Sequence, residues 1–408
     1  MKRFILSPIG SAGDVHPYIG LGVALRERGH EVEFLINGFF RDEVEKLGFA
    51  STEFTTAEEY KQLTLHPDVW HPRKGFSYLA EKLFAYAPDH YDVIREKYQP
   101  GTIVVTSLLG IGALIAQEMH DIPVVTLTLQ PAAIWSDEQP PVHPGLFGPP
   151  WMRSIQRLLG QKLVLPWVLD RRVNRVRKQL GVNPIRDSYK WWNSKRGLVC
   201  LFPEWYCKPA SDWPDVIQTD FPLWDAGCED QLPSEVKSFL DAGTPPIVFT
   251  PGSANVHAND FFRESVAVCR KLGRRGIFLT KFHDQLPELP NEVRAFSYVP
   301  LGRLLPYCAG IVHHGGIGTL AQGFQAGIPQ LVMALAYDQF DNGHRLQQSG
   351  AGAWLPKRRY KSDRVAKQLN ELITNEDVLQ RAKNISKKMD GQGLTRSAEQ
   401  LEKHVRSW

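Results

Sequence analysis

The chain has 408 residues, 43% hydrophobic and 23% charged, with a net charge of +4. That length exceeds one ordinary core and suits two soluble domains. So mild and dispersed a basic excess argues against a nucleic-acid partner, which calls for a concentrated basic face. Five scattered cysteines, Cys200, Cys207, Cys228, Cys269 and Cys308, include no CxxC pair. They favour a reducing cytoplasm over a disulfide framework or a zinc site.

The N-terminal run MKRFILSPIGSAGD loses its apolar character within a few residues and fails as a secretory signal. Lys2 to Ser7 reads as a short buried strand followed by a glycine-rich loop. Pro17 opens a helix that Gly29 closes, and a strand runs from Glu31 to Ile36. This strand–loop–helix–strand unit is the building block of a parallel sheet. A second unit follows, from IVVTS through LGIGALIAQEM to PVVTLTL. It contains the longest uncharged stretch, Thr102–Gln117, which is too short for a membrane span.

From Gln130 to Trp167 prolines and aromatics dominate, among them Trp135, Pro140, Pro141, Phe147 and Trp151. This reads as an insertion rather than sheet, followed by a basic helix from about Leu169 to Leu180. GLVCLF resumes strand character, and 203–243 is turn-rich, as a domain boundary requires. The second half alternates again through IVFT, GIFLTKF, VRAFS, GIVHH and QLVMA, and the tail from Lys361 is helical in pattern. The expected architecture is α/β, two doubly wound Rossmann-like domains facing across a cleft. The expected domains are 1–215 for an acceptor, 216–385 for a donor, and a helix over 386–408 packing back on the first.

In HHGGIGTLAQG a strand ends at His313–His314, glycines occupy the turn, and a helix begins within Gly316–Thr319. Glycines admit a ligand close to the backbone, and a helix N-terminus offers free N–H groups to a diphosphate. His313 has two readings: a donor to a phosphate oxygen, or a core histidine bonded to backbone. His314 is read as structural. Further on, AYDQFDN follows the next strand and brings Asp338 and Gln339 to the same rim of the sheet. Their acceptor and mixed donor/acceptor groups suit sugar hydroxyls, and Asp338 also suits the N-cap of the next helix.

HHGGIGT…GIPQLVMALAYDQFDN resembles the donor-binding signature of the UDP-glycosyltransferase superfamily, family 1, which has the GT-B fold. The resemblance spans the whole chain. IGSAGDV, PPVHP, VCLFPEW, FPLWD, GGIG and DQFDN are in the style of bacterial rhamnosyltransferase B subunits of rhamnolipid synthesis. It implies a glycosyltransferase whose donor site comprises Gly252, Ser253, Tyr298, Val299, His313, Gly315, Gly316, Gly318, Thr319, Asp338, Gln339 and Asn342. Gly252-Ser253 would contact phosphate and Tyr298-Val299 the nucleobase.

The loop IGSAGDVHP falls where that superfamily places its acceptor-activating base. Asp14 takes the position of the usual histidine, and His16 would shape or hydrogen-bond the acceptor pocket. The alternative for Asp14 is an N-cap of the helix at Pro17. In plant-type members a carboxylate orients the histidine; here that position is approximately Ser107. Ser11, Ser107 and Trp135 are the expected acceptor-binding residues. Trp191-Trp192 and the Pro/Trp-rich insertion add to a hydrophobic, hydroxylated acceptor.

No DxD motif or histidine spacing implies a metal or other cofactor. The glutamate that plant-type members use for ribose is absent from Leu320-Ala321-Gln322, which favours a deoxyribose nucleotide such as dTDP, and with the resemblance the donor expected is dTDP-rhamnose over UDP-glucose. The acceptor expected is a hydroxyalkanoyloxy-alkanoate lipid, with a sterol or aromatic natural product as alternative. A sugar-nucleotide epimerase and a non-catalytic sugar-nucleotide binder are the competing classes. The absence of GxGxxG after the first strand disfavours a dehydrogenase. The basic helix at Arg171–Lys178 reads as a solvated face, or as a contact with the inner membrane from the cytoplasmic side.

Overall fold

The computed structural model describes residues 1–71, 74–143, 146, 149–160, 163, 166–224, 231–253, 255–406 and 408, without the side chains of residues 67, 70, 150 and 153. Phe147 and Cys228 lie outside the described residues. The chain divides into two compact units, Met1–Pro222 with Gly393–Trp408, and Leu223–Gln392.

Among the described residues the first unit holds seven parallel strands: β1 Arg3–Ser7, β2 Glu31–Asn37, β3 Ala50–Thr55, β4 Thr102–Ser107, β5 Val124–Thr128, β6 Leu198–Cys200 and β7 Val216–Gln218. Their order is β3-β2-β1-β4-β5-β6-β7. The expected boundary at 215/216 would have cut off β7. It hydrogen-bonds to β6 with Val199 opposite Ile217, so the first unit continues to Pro222. The second unit holds β8 Ile247–Thr250, β9 Gly276–Leu279, β10 Val293–Phe296, β11 Gly310–His313, β12 Gln330–Ala334 and β13 Gly352–Pro356. They are also parallel, in the order β10-β9-β8-β11-β12-β13.

Strands covered on both faces read as near-continuous apolar runs, and the inner strands β1, β4, β5, β8, β11 and β12 do. In the second unit Phe249 and Phe278 point to one face, where Phe261 and Phe262 of the helix Asn259–Leu272 cover them. Val248, Ile277 and Ile311 point to the other and meet Val299 and Leu304. Each sheet reverses its winding once, between β1 and β4 and between β8 and β11. Loops at the carboxyl ends of such a pair are where open α/β sheets bind ligands.

The last helix, Gly393–Val405, belongs to the first unit. It begins seven residues later than the expected 386, because Glu376–Ser386 closes a helix of the second unit. It packs on the helix Ala12–Glu27. Glu402 accepts from Arg28 Nε at 2.6 Å and lies 2.8 Å from His30 Nε2. The Arg28 hydrogen bond is the largest influence holding the Glu402 carboxyl down at about 2. Gly393 sits so close to the Phe221 carbonyl that a Cβ would fall 2.1 Å from its oxygen. Among the described residues, no helix is long and apolar enough to cross a membrane.

Candidate functional site

In the first unit, the loop leaving β1 runs into a helix that starts at Ala12, not at Pro17 as the sequence suggested. Ser11 is its N-cap, and Asp14, in the first turn, reaches back. Asp14 Oδ2 accepts from Ser11 N at 2.8 Å and from Ser11 Oγ at 3.1 Å. An acidic residue three positions into a helix commonly satisfies the N-cap amide in this way. Pro17 is then the sixth helical residue. Gly10 makes the close turn possible: its φ is +143°, and a Cβ there would lie 2.2 Å from Asp14 Oδ2.

Burial is the largest influence on Asp14 and pushes its carboxyl above the usual carboxylate range, against the pull of the two Ser11 bonds. The direction suits a base that must hold a proton part-way through transfer. Two phenols feel the same charge. Tyr18 and Tyr60 are both pushed up, by burial first and by Asp14 second. The Tyr18 hydroxyl is buried with no hydrogen-bond partner among the described residues. The sequence reading missed Tyr18; its place one helical turn after Asp14 was the available signal.

The other expected residues of this unit are more dispersed. His16 turns to Glu43, with Nε2 3.1 Å from Oε1, and packs edge-on to Phe40. That pair occupies Nε2, one of the two ring nitrogens expected to face an acceptor. Ser107 Oγ accepts from Leu109 N at 3.3 Å, at the carboxyl end of β4. Trp135 lines an open concavity of about 310 Å³ with Pro166, Leu169, Asp170, Asp187, Tyr189 and Lys190. Ser11 and Ser107 are not among the residues lining it. Trp135 meets Tyr189 edge-to-face at 5.2 Å, and its Nε1 is buried without a partner among the described residues.

In the second unit the structure places the two adjacent histidines in different surroundings. His313 is the last residue of β11 and is fully buried, since the sheet is covered on both faces. Its Nδ1 accepts from Gly315 N at 3.2 Å, and Nε2 bonds to Gln330 Oε1 at 3.1 Å. Both ring nitrogens are therefore spent inside the protein, and no donor is left for a phosphate. Burial holds its pKa at about 3, so the ring is neutral. His314 stands at the mouth of the loop instead. Its ring sits between two glycines, and a Cβ on Gly252 or Gly316 would come within 3.0 Å or 2.5 Å of it. His314 Nδ1 is buried without a partner among the described residues, and burial lowers its pKa to about 4.

Around it, Gly316 caps the helix Ile317–Ala326 without any side-chain bond to the first-turn amides. Gly318 is exposed in that first turn, Thr319 is half-buried, and Gln322 is buried further along the same helix. Ser253 is exposed in the loop after β8, and Tyr298 is 54% exposed in the loop after β10. Val299, expected beside a nucleobase, is instead packed in the apolar core under β8 and β9.

The DQ pair also divides its labour. Gln339 is buried, and its Oε1 accepts from Leu335 N and Ala336 N at 2.8 and 3.1 Å. Its expected acceptor role toward a sugar is taken by the backbone it holds. Asn342 is fully buried and donates to the Gly315 carbonyl at 2.9 Å and to Asp338 Oδ2 at 2.6 Å. It therefore ties the two loops together rather than facing a ligand. Asp338 is the N-cap of the helix Gln339–Ser349. Just before it, Tyr337 holds a left-handed backbone, φ +55°, a conformation that costs a non-glycine residue about 1–3 kcal/mol and concentrates at functional loops. The sequence offers no signal for it.

Residues 4–133 match the glycosyltransferase family 28 N-terminal domain, and 277–398 match the erythromycin biosynthesis protein CIII-like C-terminal domain. The O-mycaminosyltylonolide 6-deoxyallosyltransferase of Streptomyces fradiae is 26% identical, over 94% of this chain and 92% of its own. An uncharacterised glycosyltransferase of Mycobacterium leprae is 28% identical, over 83% and 81%. A sterol 3-beta-glucosyltransferase of Yarrowia lipolytica is 26% identical over 95% of this chain and 28% of its own. Among solved structures, the glycosyltransferase of kitacinnamycin superposes with a TM-score of 0.74 at 19% identity, over 99% of each chain. Glycosyltransferase VinC in complex with dTDP gives 0.69 at 21%, over 100% of each.

Proposed function

Since the chain is a nucleotide-sugar glycosyltransferase of the GT-B type, we propose that it moves a hexose, with inversion, from a nucleoside-diphosphate sugar to a hydroxyl of a hydrophobic acceptor. One observation carries the donor half: His314, whose Nδ1 is buried and unpartnered among the described residues, lies with its ring against Gly316, at the uncapped N-terminus of Ile317–Ala326. A diphosphate oxygen satisfies the imidazole and the first-turn amides together. The same groups stabilise the charge that grows on the departing diphosphate. Asp338 is placed for the sugar hydroxyls, with Gln339 and Asn342 fixing its loop.

Asp14 is the base. It takes the acceptor hydroxyl's proton as that oxygen attacks the anomeric carbon and the bond to the diphosphate breaks. For the donor we favour dTDP-rhamnose over UDP-glucose. The missing ribose carboxylate at 320–322 supports this, as does the relative solved with dTDP. For the acceptor we favour a hydroxyalkanoyloxy-alkanoate lipid. The relatives named for a tylonolide and a sterol support the alternative of a polycyclic or macrolide alcohol.

The test is a screen of dTDP-rhamnose, dTDP-glucose, UDP-glucose and UDP-GlcNAc against hydroxyalkanoyl, macrolide, sterol and flavonoid acceptors. Product is followed by mass. Rhamnosyl transfer to a hydroxyacyl lipid is the expected result. Transfer from UDP-glucose alone, or to a flavonoid alone, rejects the substrate reading, and binding without transfer or hydrolysis rejects the enzyme mechanism.

A further inference from the structure

The helix Pro150–Leu159 belongs to the insertion that sheet formation does not use. Trp151, Ile155, Leu158 and Leu159 share one of its faces by helical spacing. All four are solvent-exposed, as are Leu163 and Trp167 beyond the helix, at 46–68% of their full accessibility. Six large apolar side chains exposed within 17 residues are unusual on a soluble chain, where such groups scatter singly. Arg157, about half a turn away from Ile155 and Leu159, is tucked inward. It bonds to Asp137 Oδ1 at 2.9 Å and lies over the Trp135 ring at 5.7 Å. The inner edge of the helix is thereby held, and the apolar edge is left outside.

The charge of this stretch is as uneven as its polarity. Residues 150–178 carry eight lysines and arginines against the single Asp170, in a chain whose whole net charge is +4. Some of these cations are spent internally. Arg172 and Arg175 hold Glu81, and Arg177 is buried against Glu118. Arg171 and Lys178 are exposed on the helix Arg171–Gln179, which continues directly from Trp167 and the turn after it. Along the chain, exposed apolar residues recur every fourth position (151, 155, 159, 163, 167), and Arg171 continues that series.

We propose that this face docks on an anionic lipid surface, with the apolar edge entering the acyl boundary and Arg171 and Lys178 at headgroup level. Tryptophans at both ends of the stripe suit the interface, where an apolar ring and a polar N–H are both satisfied. The basic excess selects anionic over neutral lipid. The proposal is independent of the donor and base assignments.

The test uses the full chain with vesicles of phosphatidylcholine, alone or with 30% phosphatidylglycerol as an order-of-magnitude choice of anionic content, read by co-sedimentation and tryptophan emission. Binding to the anionic vesicles only, weakened by salt, is expected. Trp151→Ser with Leu159→Gln lowers the partition by about tenfold or more, with no change in thermal midpoint because both side chains are already exposed. Arg171→Gln and Lys178→Gln each lower it by about fivefold. If the apolar variant fails to fold, the charge variants carry the test alone. Equal binding to neutral vesicles, no binding to either, or binding indifferent to both variant sets overturns the proposal. Concentration-dependent dimerisation abolished by the apolar variant, without vesicle binding, also overturns it and assigns the face to a second copy.

Discussion

Replacing Asp14 by asparagine separates the two things this residue can do. As a helix-terminal group, Asp14 supplies one oxygen to the Ser11 N–H and Oγ–H. An asparagine carbonyl can accept the same bonds, so the helix start survives. Burial already disfavours the Asp14 carboxylate, and a neutral amide removes that desolvation cost. The expected stability change is therefore within about 1 kcal/mol in either direction, a midpoint shift of no more than about 4 °C for units of this size. As a base, the same substitution removes the proton acceptor, and turnover falls by about 10²–10⁴, or about 2.7–5.4 kcal/mol of barrier. The assay is nucleoside-diphosphate release with a competent donor and acceptor, alongside thermal unfolding.

The pH profile supplies a second readout. Activity needs the ionised carboxylate, and burial raises its pKa above the ordinary 3.8. The acid limb of kcat/KM thus lies above pH 3.8 and is lost in Asp14→Asn. Asparagine retaining more than about a tenth of the turnover, against a predicted loss of at least about a hundredfold, refutes the base assignment. A loss of turnover that simply tracks unfolding refutes it too.

The paired histidines give a contrast. His313→Ala leaves Gln330 Oε1 and the Gly315 N–H unpaired beside a cavity, so the second unit loses about 2–4 kcal/mol in urea unfolding. His314→Ala keeps that stability but weakens nucleoside-diphosphate binding by about tenfold or more in calorimetry. Normal binding by His314→Ala means the phosphate lies elsewhere.

Gln339→Ala strips the acceptor from Leu335 N and Ala336 N. It destabilises by about 1–3 kcal/mol per stranded amide and raises the donor KM, while Gln339→Glu keeps both. Equal KM values in the two variants count against a loop-fixing role. Burial holds both His90 and His313 at about 3, below the solution value of 6.5. The unfolded chain therefore binds protons that the folded chain refuses. Stability is full above about pH 6.5 and falls toward pH 3, by about 2 kcal/mol per histidine at pH 5. A denaturant midpoint that does not move between pH 7.5 and pH 5, the two sides of that reference pKa, contradicts this.

The alternation of apolar runs with helical periods was enough to read two parallel α/β sheets, because strands buried on both faces carry a continuous apolar signature. The glycine turn after GIVHH and the DQ pair one strand later were legible for the same reason, since sequence order places both at carboxyl strand ends. Which histidine faces outward was not legible. HH is symmetric in composition, and only the register of β11, which ends at His313, decides that its ring lies under the sheet's cover and the next one at the mouth. The boundary near 222 was hidden likewise: the three residues of β7 acquire strand identity only by pairing with β6. Asp14 was visible as a residue, but its double bond to Ser11 depends on a helix starting five residues earlier than Pro17 suggested. The sequence alone determined the sheets, the glycine turn after the strand Gly310–His313 and the acidic residue after the first strand, because each is written in the local pattern of residues. Tertiary structure decided which polar atoms are spent and which remain for a ligand, because that depends on partners 2 to 27 residues away.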